Sequence, residues 1–121
     1  SGSKIPKVKI TSNIKEASSK ITKYKLGLAI VTKKNIVAGI LTDGDARRSL
    51  RYNLKSQNLT KIMTPNPLFI SENSTASKAL AIMNKKKITS LLVTSEKDLN
   101  KKNKKLIGIV HIHSILEFGV K

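Results

Sequence analysis

The chain has 121 residues, room for one domain or for two small units that share a core. It carries 24 Lys and Arg against 7 Asp and Glu, a net charge of +17, and it has no Cys. The missing thiols exclude disulfides and thiolate metal sites and make a cytosolic setting the expectation. No apolar run approaches the ~20 residues that cross a bilayer, and no secretory pattern opens the chain, so no membrane role is expected. The charge draws attention to nucleic acid, yet Lys is spread along the chain and dense only at 85–87 and 101–105. Tyr24, Tyr52, Phe69 and Phe118 are too scattered for a base-stacking platform. A solvated lysine surface is the expected reading, with nucleic-acid binding the weaker alternative.

Ser1-Gly2-Ser3 reads as a cloning scar at 1–3 and is set aside. Val8-Lys9-Ile10 is a short alternating strand. Asn13 with Glu16 three residues on fits a capping box, and Ile14, Ala17 and Ile21 then recur at helical spacing. Leu26 to Thr32 reads as a buried strand, Lys33-Lys34-Asn35 as a turn, Ile36 to Thr42 as the returning strand and Asp43 to Tyr52 as a helix. Asn53 to Thr60 is polar and reads as a linker, and Pro65 and Pro67 resist regular structure after it. The same order then returns. Leu68-Phe69-Ile70 is a strand, and Ser74 or Thr75 caps a helix with Ala76, Ala79, Leu80 and Met83 on one face. Ile88 to Thr94 and Leu106 to His111 form a hairpin, and Ser114 to Phe118 begins a last helix.

The halves superpose as sequence. Val8, Ala17, Ile21 and Thr32 fall on Ile70, Ala79, Met83 and Thr94 at an offset of 62, while Gly39-Ile40-Leu41 falls on Gly108-Ile109-Val110 at an offset of 69. The change in offset marks an insertion of seven residues within Ser95 to Lys105. Each unit is too small for a core of its own, so the expected class is α/β (α+β), two β-α-β-β-α repeats packed about a pseudo-twofold axis with a cleft between them.

The chemistry concentrates where the first repeat's last strand turns into its helix, in Thr42-Asp43-Gly44-Asp45-Ala46-Arg47-Arg48. A helix start offers free backbone N–H groups to a phosphate. Thr42 reads either as a phosphate donor or as a backbone cap. Asp45 is either a ligand carboxylate, whose two oxygens match the two donors of a vicinal diol, or a helix-start acid favoured by the macrodipole. Gly44 reads as a source of positive φ beside Asp43. Arg47 and Arg48 project about 100° apart, so one of them is expected to clamp a phosphate or sugar carboxylate. Thr89 and Ser90 add hydroxyls where the second repeat's central strand begins. His111 and His113 alternate on a strand end and so share a face. They lack the further ligands a metal needs, so no metal site is expected; a cleft lining, a contact with another domain and a polar strand end all remain open for them. No catalytic constellation and no cofactor motif appears, so this chain is not expected to be an enzyme.

These motifs carry a family resemblance. The duplicated unit, with Met63-Thr64-Pro65 opening its second copy and Gly39-Ile40-Leu41-Thr42-Asp43-Gly44-Asp45 closing its first, resembles a tandem pair of cystathionine-β-synthase (CBS) domains, over 4–55 and 56–121. More narrowly, Gly39 to Arg48, Ile62 to Pro67, Lys87 to Leu91 and Gly108 to His113 resemble the C-terminal pair of bacterial arabinose 5-phosphate isomerases. The resemblance implies a regulatory module fused behind a sugar isomerase domain, with Asp45 facing a ribose. It implies a nucleotide or nucleotide-sugar ligand in the inter-repeat cleft, with CMP-Kdo, the end product of that enzyme's lipopolysaccharide pathway, as the candidate. A homo-oligomer is expected. The alternative is an oligomerisation module without a physiological ligand. Two departures stand out. Where the family pattern has Thr or Ser, two residues and then Asp, the second copy has His111 and Ser114; and Ala46 replaces a usual Leu.

Overall fold

The computed structural model describes residues 5–51 and 58–113. Ser1-Gly2-Ser3, Tyr52, residues 53–57 of the expected linker, and the last helix expected at Ser114 to Phe118 lie outside the described residues. The chain divides into two compact units with the boundary between Pro67 and Leu68. The class is mixed α/β, with two sheets and three helices among the described residues.

In the first unit, β1 (Lys7–Lys9), α1 (Ile14–Tyr24), β2 (Leu28–Lys33), β3 (Ile36–Thr42), α2 (Asp43–Arg51) and β4 (Thr64–Pro65) follow in chain order. Their sheet runs β1-β2-β3-β4, with β1 parallel to β2 and the other pairs antiparallel. Asn13 caps α1 as its spacing predicts, its Oδ1 accepting the Glu16 N–H at 2.8 Å. Glu16 does not reach back to Asn13; its carboxylate takes the Ser12 hydroxyl at 2.7 Å. Val8, Ile14, Ala17, Ile21, Ala29, Val31, Leu41 and Ala46 form the core, and Leu59 joins them, fully buried. The expected polar linker therefore ends in an anchor, because Leu59–Lys61 closes a 3-10 turn that drops Leu59 into the first unit. Thr64–Pro65 is likewise not irregular. It adds a two-residue edge strand to β3, a position where a proline's missing donor costs nothing.

That edge strand explains one glycine. A Cβ on Gly39 would stand 2.7 Å from the Thr64 carbonyl oxygen and 2.8 Å from the Met63 sulfur, so only Gly permits this approach.

The second unit repeats the plan with β5 (Phe69–Ser71), α3 (Ala76–Lys86), β6 (Ser90–Thr94) and β7 (Gly108–His111), in a sheet of order β5-β6-β7. The equivalences hold residue by residue. Val8 pairs with Val31 and Ile70 with Val93; Leu28 stands opposite Thr42 and Ser90 opposite His111. Thr75, and not Ser74, caps α3, its hydroxyl oxygen accepting the Lys78 N–H at 3.0 Å. Lys25 and Lys87 close α1 and α3 in the left-handed conformation, at φ of 59° and 58°. Ala79 and Met83 bury one face of α3, while Ala76 is exposed. The inserted segment after β6 is tied together by Asp98, whose backbone N–H donates to the Ser95 hydroxyl oxygen and whose carboxylate pairs with Lys101 and accepts from the Lys105 N–H.

Candidate ligand-binding residues

In the first unit the strand-to-helix corner is built by Thr42 and Asp45 holding each other. The Thr42 hydroxyl oxygen accepts the Asp45 N–H at 3.1 Å, and the Asp45 Oδ2 accepts the Thr42 N–H at 2.9 Å. This is the reciprocal logic of a capping box, with Asp in the acidic position. The corner is tethered to the sheet by the Asp43 N–H, which donates to the Gly27 carbonyl at 3.0 Å. Asp45 is only 5% exposed, and its second oxygen, Oδ1, pairs with Arg48. Asp43 is exposed and pairs with Arg47. The two arginines thus both fold back to the first turn of α2 although their Cα atoms point apart. Gly44 sits between them without positive φ, contrary to expectation. Its open side lies 3.5 Å from Arg48 Nη1, 3.7 Å from the Thr42 Oγ1 and 4.0 Å from Arg47 Nη2, measured from where a Cβ would stand. Thr42, Asp43, Asp45, Arg47 and Arg48 are therefore one cluster, carrying two carboxylates and two guanidinium groups.

The corresponding corner of the second unit has other chemistry. His111 is the last residue of β7, but His113 is already helical, so the pair does not share a strand face. The turn out of the strand brings them together instead. The rings stack with centroids 4.9 Å apart, and the His113 N–H donates to the His111 Nδ1 at 3.2 Å. A ring nitrogen thus serves as a helix-start acceptor in the place Thr42 holds in the first unit. Burial, and after it the neighbouring His113, holds the His111 imidazole below its ordinary pKa. This agrees with an unprotonated Nδ1 that accepts a hydrogen bond. Opposite His111 on the ladder, the Ser90 hydroxyl is buried and has no hydrogen-bond partner among the described residues. Thr89 is exposed and contributes its carbonyl, which accepts the Ile112 N–H at 2.8 Å. Ser114, the counterpart of Asp45, lies outside the described residues.

Among the described residues no group of three or more His, Asp or Glu is placed to hold a metal ion. No helix among them is long and apolar enough to cross a membrane. One feature carries no motif and so escapes sequence inspection. A depression of about 530 Å³ opens at the far end of the first sheet, lined by Lys7, Lys9, Lys20, Thr11, Ser12 and Glu16 among others. None of the motif residues lines it.

Comparison with known proteins places these corners in a family. The CBS domain family matches residues 2–52 and 59–121. The chain is 36% identical over 121 residues to the uncharacterized protein RP505 of Rickettsia prowazekii (strain Madrid E), covering 99% of this chain and 36% of that protein. It is 35% identical over 122 residues to the arabinose 5-phosphate isomerase KdsD of Francisella tularensis (strain SCHU S4 / Schu 4), covering 99% of this chain and 36% of the enzyme. The chain thus spans about a third of the length of the curated relatives it matches. Among solved structures, the CBS domain pair of protein MJ0100, in complex with 5′-methylthioadenosine and S-adenosyl-L-methionine, superposes with a TM-score of 0.81 at 21% identity, over 94% of this chain and 86% of that one. The match over both halves, together with the duplicated corner that each half carries, makes this chain a tandem pair of CBS domains.

Proposed function

We propose that this CBS pair is the ligand-sensing part of an arabinose 5-phosphate isomerase-type enzyme and takes a nucleotide or nucleotide sugar, with CMP-Kdo the leading candidate. The observation that carries the reading is the Thr42–Asp45 corner, a nearly buried carboxylate at a helix start with a hydroxyl beside it, the Arg48 guanidinium on it and the Arg47 guanidinium on the neighbouring Asp43. A ribose diol offers two donors to such a carboxylate, and an anionic group finds Arg47, Arg48 and the Thr42 hydroxyl close by. The length of the KdsD relative leaves room for a catalytic domain outside this chain, and the adenosine-type ligands of the MJ0100 pair share the ribose diol. On the second unit, Ser90, His111, His113 and Thr89 offer two imidazoles and two hydroxyls where the first unit offers charge. Occupancy would reach the enzyme by differential binding, because a ligand that prefers one arrangement of the repeats raises its population. Isothermal titration with CMP-Kdo, CMP, AMP, ATP and S-adenosylmethionine tests this. Binding of at least one of them, lost in Asp45→Ala, is expected; silence across the panel overturns the reading.

A second reading has its own support. Thr42 and Asp45 already satisfy each other, and Leu50 on α2 is 66% exposed, so the module can be read as an oligomerisation surface with no ligand. Light scattering on Leu50→Lys separates the two, since only the second reading makes the oligomer depend on that face while the ligand panel stays silent.

A further inference from the structure

The first-unit corner is closed by its own groups. The Asp45 carboxylate is 6% exposed, and each of its oxygens already holds a donor, the Thr42 N–H on Oδ2 and the Arg48 guanidinium on Oδ1. Each oxygen keeps a second lone pair, but the side chain shows only 6% of its surface, so a diol reaches it by taking the place of one of these donors. The Thr42 N–H belongs to the backbone at the end of β3 and is fixed by the reciprocal hydroxyl bond, so it does not move. Arg48 can leave, because its side chain is 62% exposed and it is a side chain that can turn out to solvent. Arg47 is no substitute, since it is engaged with the exposed Asp43.

We infer that Arg48 is an exchangeable latch on Asp45, which makes the site demand a ligand carrying both a vicinal diol and an anionic group. This rests on the diol reading of Asp45. A neutral nucleoside can take Asp45 only by leaving the guanidinium without a partner, and it gives nothing charged in return. A nucleotide gives Arg48 a phosphate in exchange for the carboxylate, so the charge pairing is transferred and not lost. Gly44 keeps the path short. With no Cβ, it leaves the space between Arg48 Nη1 and the Thr42 hydroxyl open. The latch is thus a specificity device that selects phosphorylated nucleosides over nucleosides with the same base.

Titrations of AMP against adenosine, and of CMP against cytidine, with the unaltered chain and with Arg48→Gln, test it. In the variant the nucleoside should bind about two- to fivefold more tightly, or more, the share of an ion pair whose cation alone is exposed. The nucleotide should bind about tenfold or more weakly, the share of a charge-assisted hydrogen bond. Simple attraction of phosphate to Arg48 without a latch predicts the second change and an unaltered nucleoside affinity, which would overturn the inference. If neither nucleosides nor nucleotides bind the unaltered chain, it is the diol reading itself that falls.

Discussion

The two units share a scaffold and differ at one corner. Their helices α1 and α3 start on side-chain caps, end on a left-handed Lys, and pack the equivalent residues Ala17 and Ala79, Ile21 and Met83. Their ladders pair equivalent residues throughout. Yet the first corner is a capped, ion-paired helix start, while the second is a stacked histidine pair beside a buried serine that has no hydrogen-bond partner among the described residues. The comparison teaches that duplication preserves what builds the sheet and the helix ends. The residues at the strand-to-helix turn are free to change, because they can be satisfied in more than one way.

A second difference lies in packing. The first unit gains Leu59 and the edge strand β4 from the segment after α2, and nothing comparable covers β7 among the described residues. The largest expected effect follows from this. Leu59→Ala empties a fully buried site and should cost about 2–5 kcal/mol in denaturant unfolding; a change under about 1 kcal/mol would mean the site refills. Next comes the glycine pair. Gly39→Ala drives a methyl group against Thr64 and Met63 and should cost about 1–3 kcal/mol. Gly108→Ala meets Val93 at an ordinary 3.7 Å, and its unfolding midpoint should stay within about 0.5 kcal/mol of the parent. Equal effects at the two positions would erase the asymmetry that β4 creates.

The smallest effect is in the second corner and depends on pH. The folded-state pKa of His111 is depressed, so the unfolded chain binds more protons just below the ordinary value of about 6.5. The stability His111 contributes is therefore complete above about pH 6.5 and is lost as pH falls towards the depressed value. Thermal unfolding across that range should show a slope that His111→Asn removes, because Asn supplies an acceptor for the His113 N–H that does not titrate in this range. A slope unchanged in the variant would assign the titration elsewhere.

Much of this was legible in residues. The offsets of 62 and 69, the cap at Asn13, a cap at one of Ser74 and Thr75, and the strand at Ile36 to Thr42 all reappear in the structure, since periodicity and capping are local signals. What stayed hidden depends on contacts distant in sequence. Leu59 looks like a stray apolar residue in a polar stretch until the core it enters is known. Gly39 looks like any strand glycine until Thr64 comes alongside. His111 and His113 show the limit of period-two reasoning, which places them on one face only if the strand continues, and here it ends between them. A cap at Thr42 and a helix-start acid at Asp45 are each one of two readings, but their bonding to each other is in neither, and spacing alone does not choose between a cap and a ligand contact. Both can hold at once, if the carboxylate keeps its backbone donor and exchanges Arg48.

The central claim is that the first corner, through the charge on Asp45, holds the ligand. Isothermal titration of AMP and CMP into the unaltered chain and into Asp45→Asn tests it most directly, because Asn keeps an acceptor for the Thr42 N–H and so spares the cap. The account predicts that at least one of the two nucleotides binds the unaltered chain and that this affinity falls by about tenfold or more in the variant, with the unfolding midpoint nearly unchanged. Undiminished binding in Asp45→Asn would contradict it.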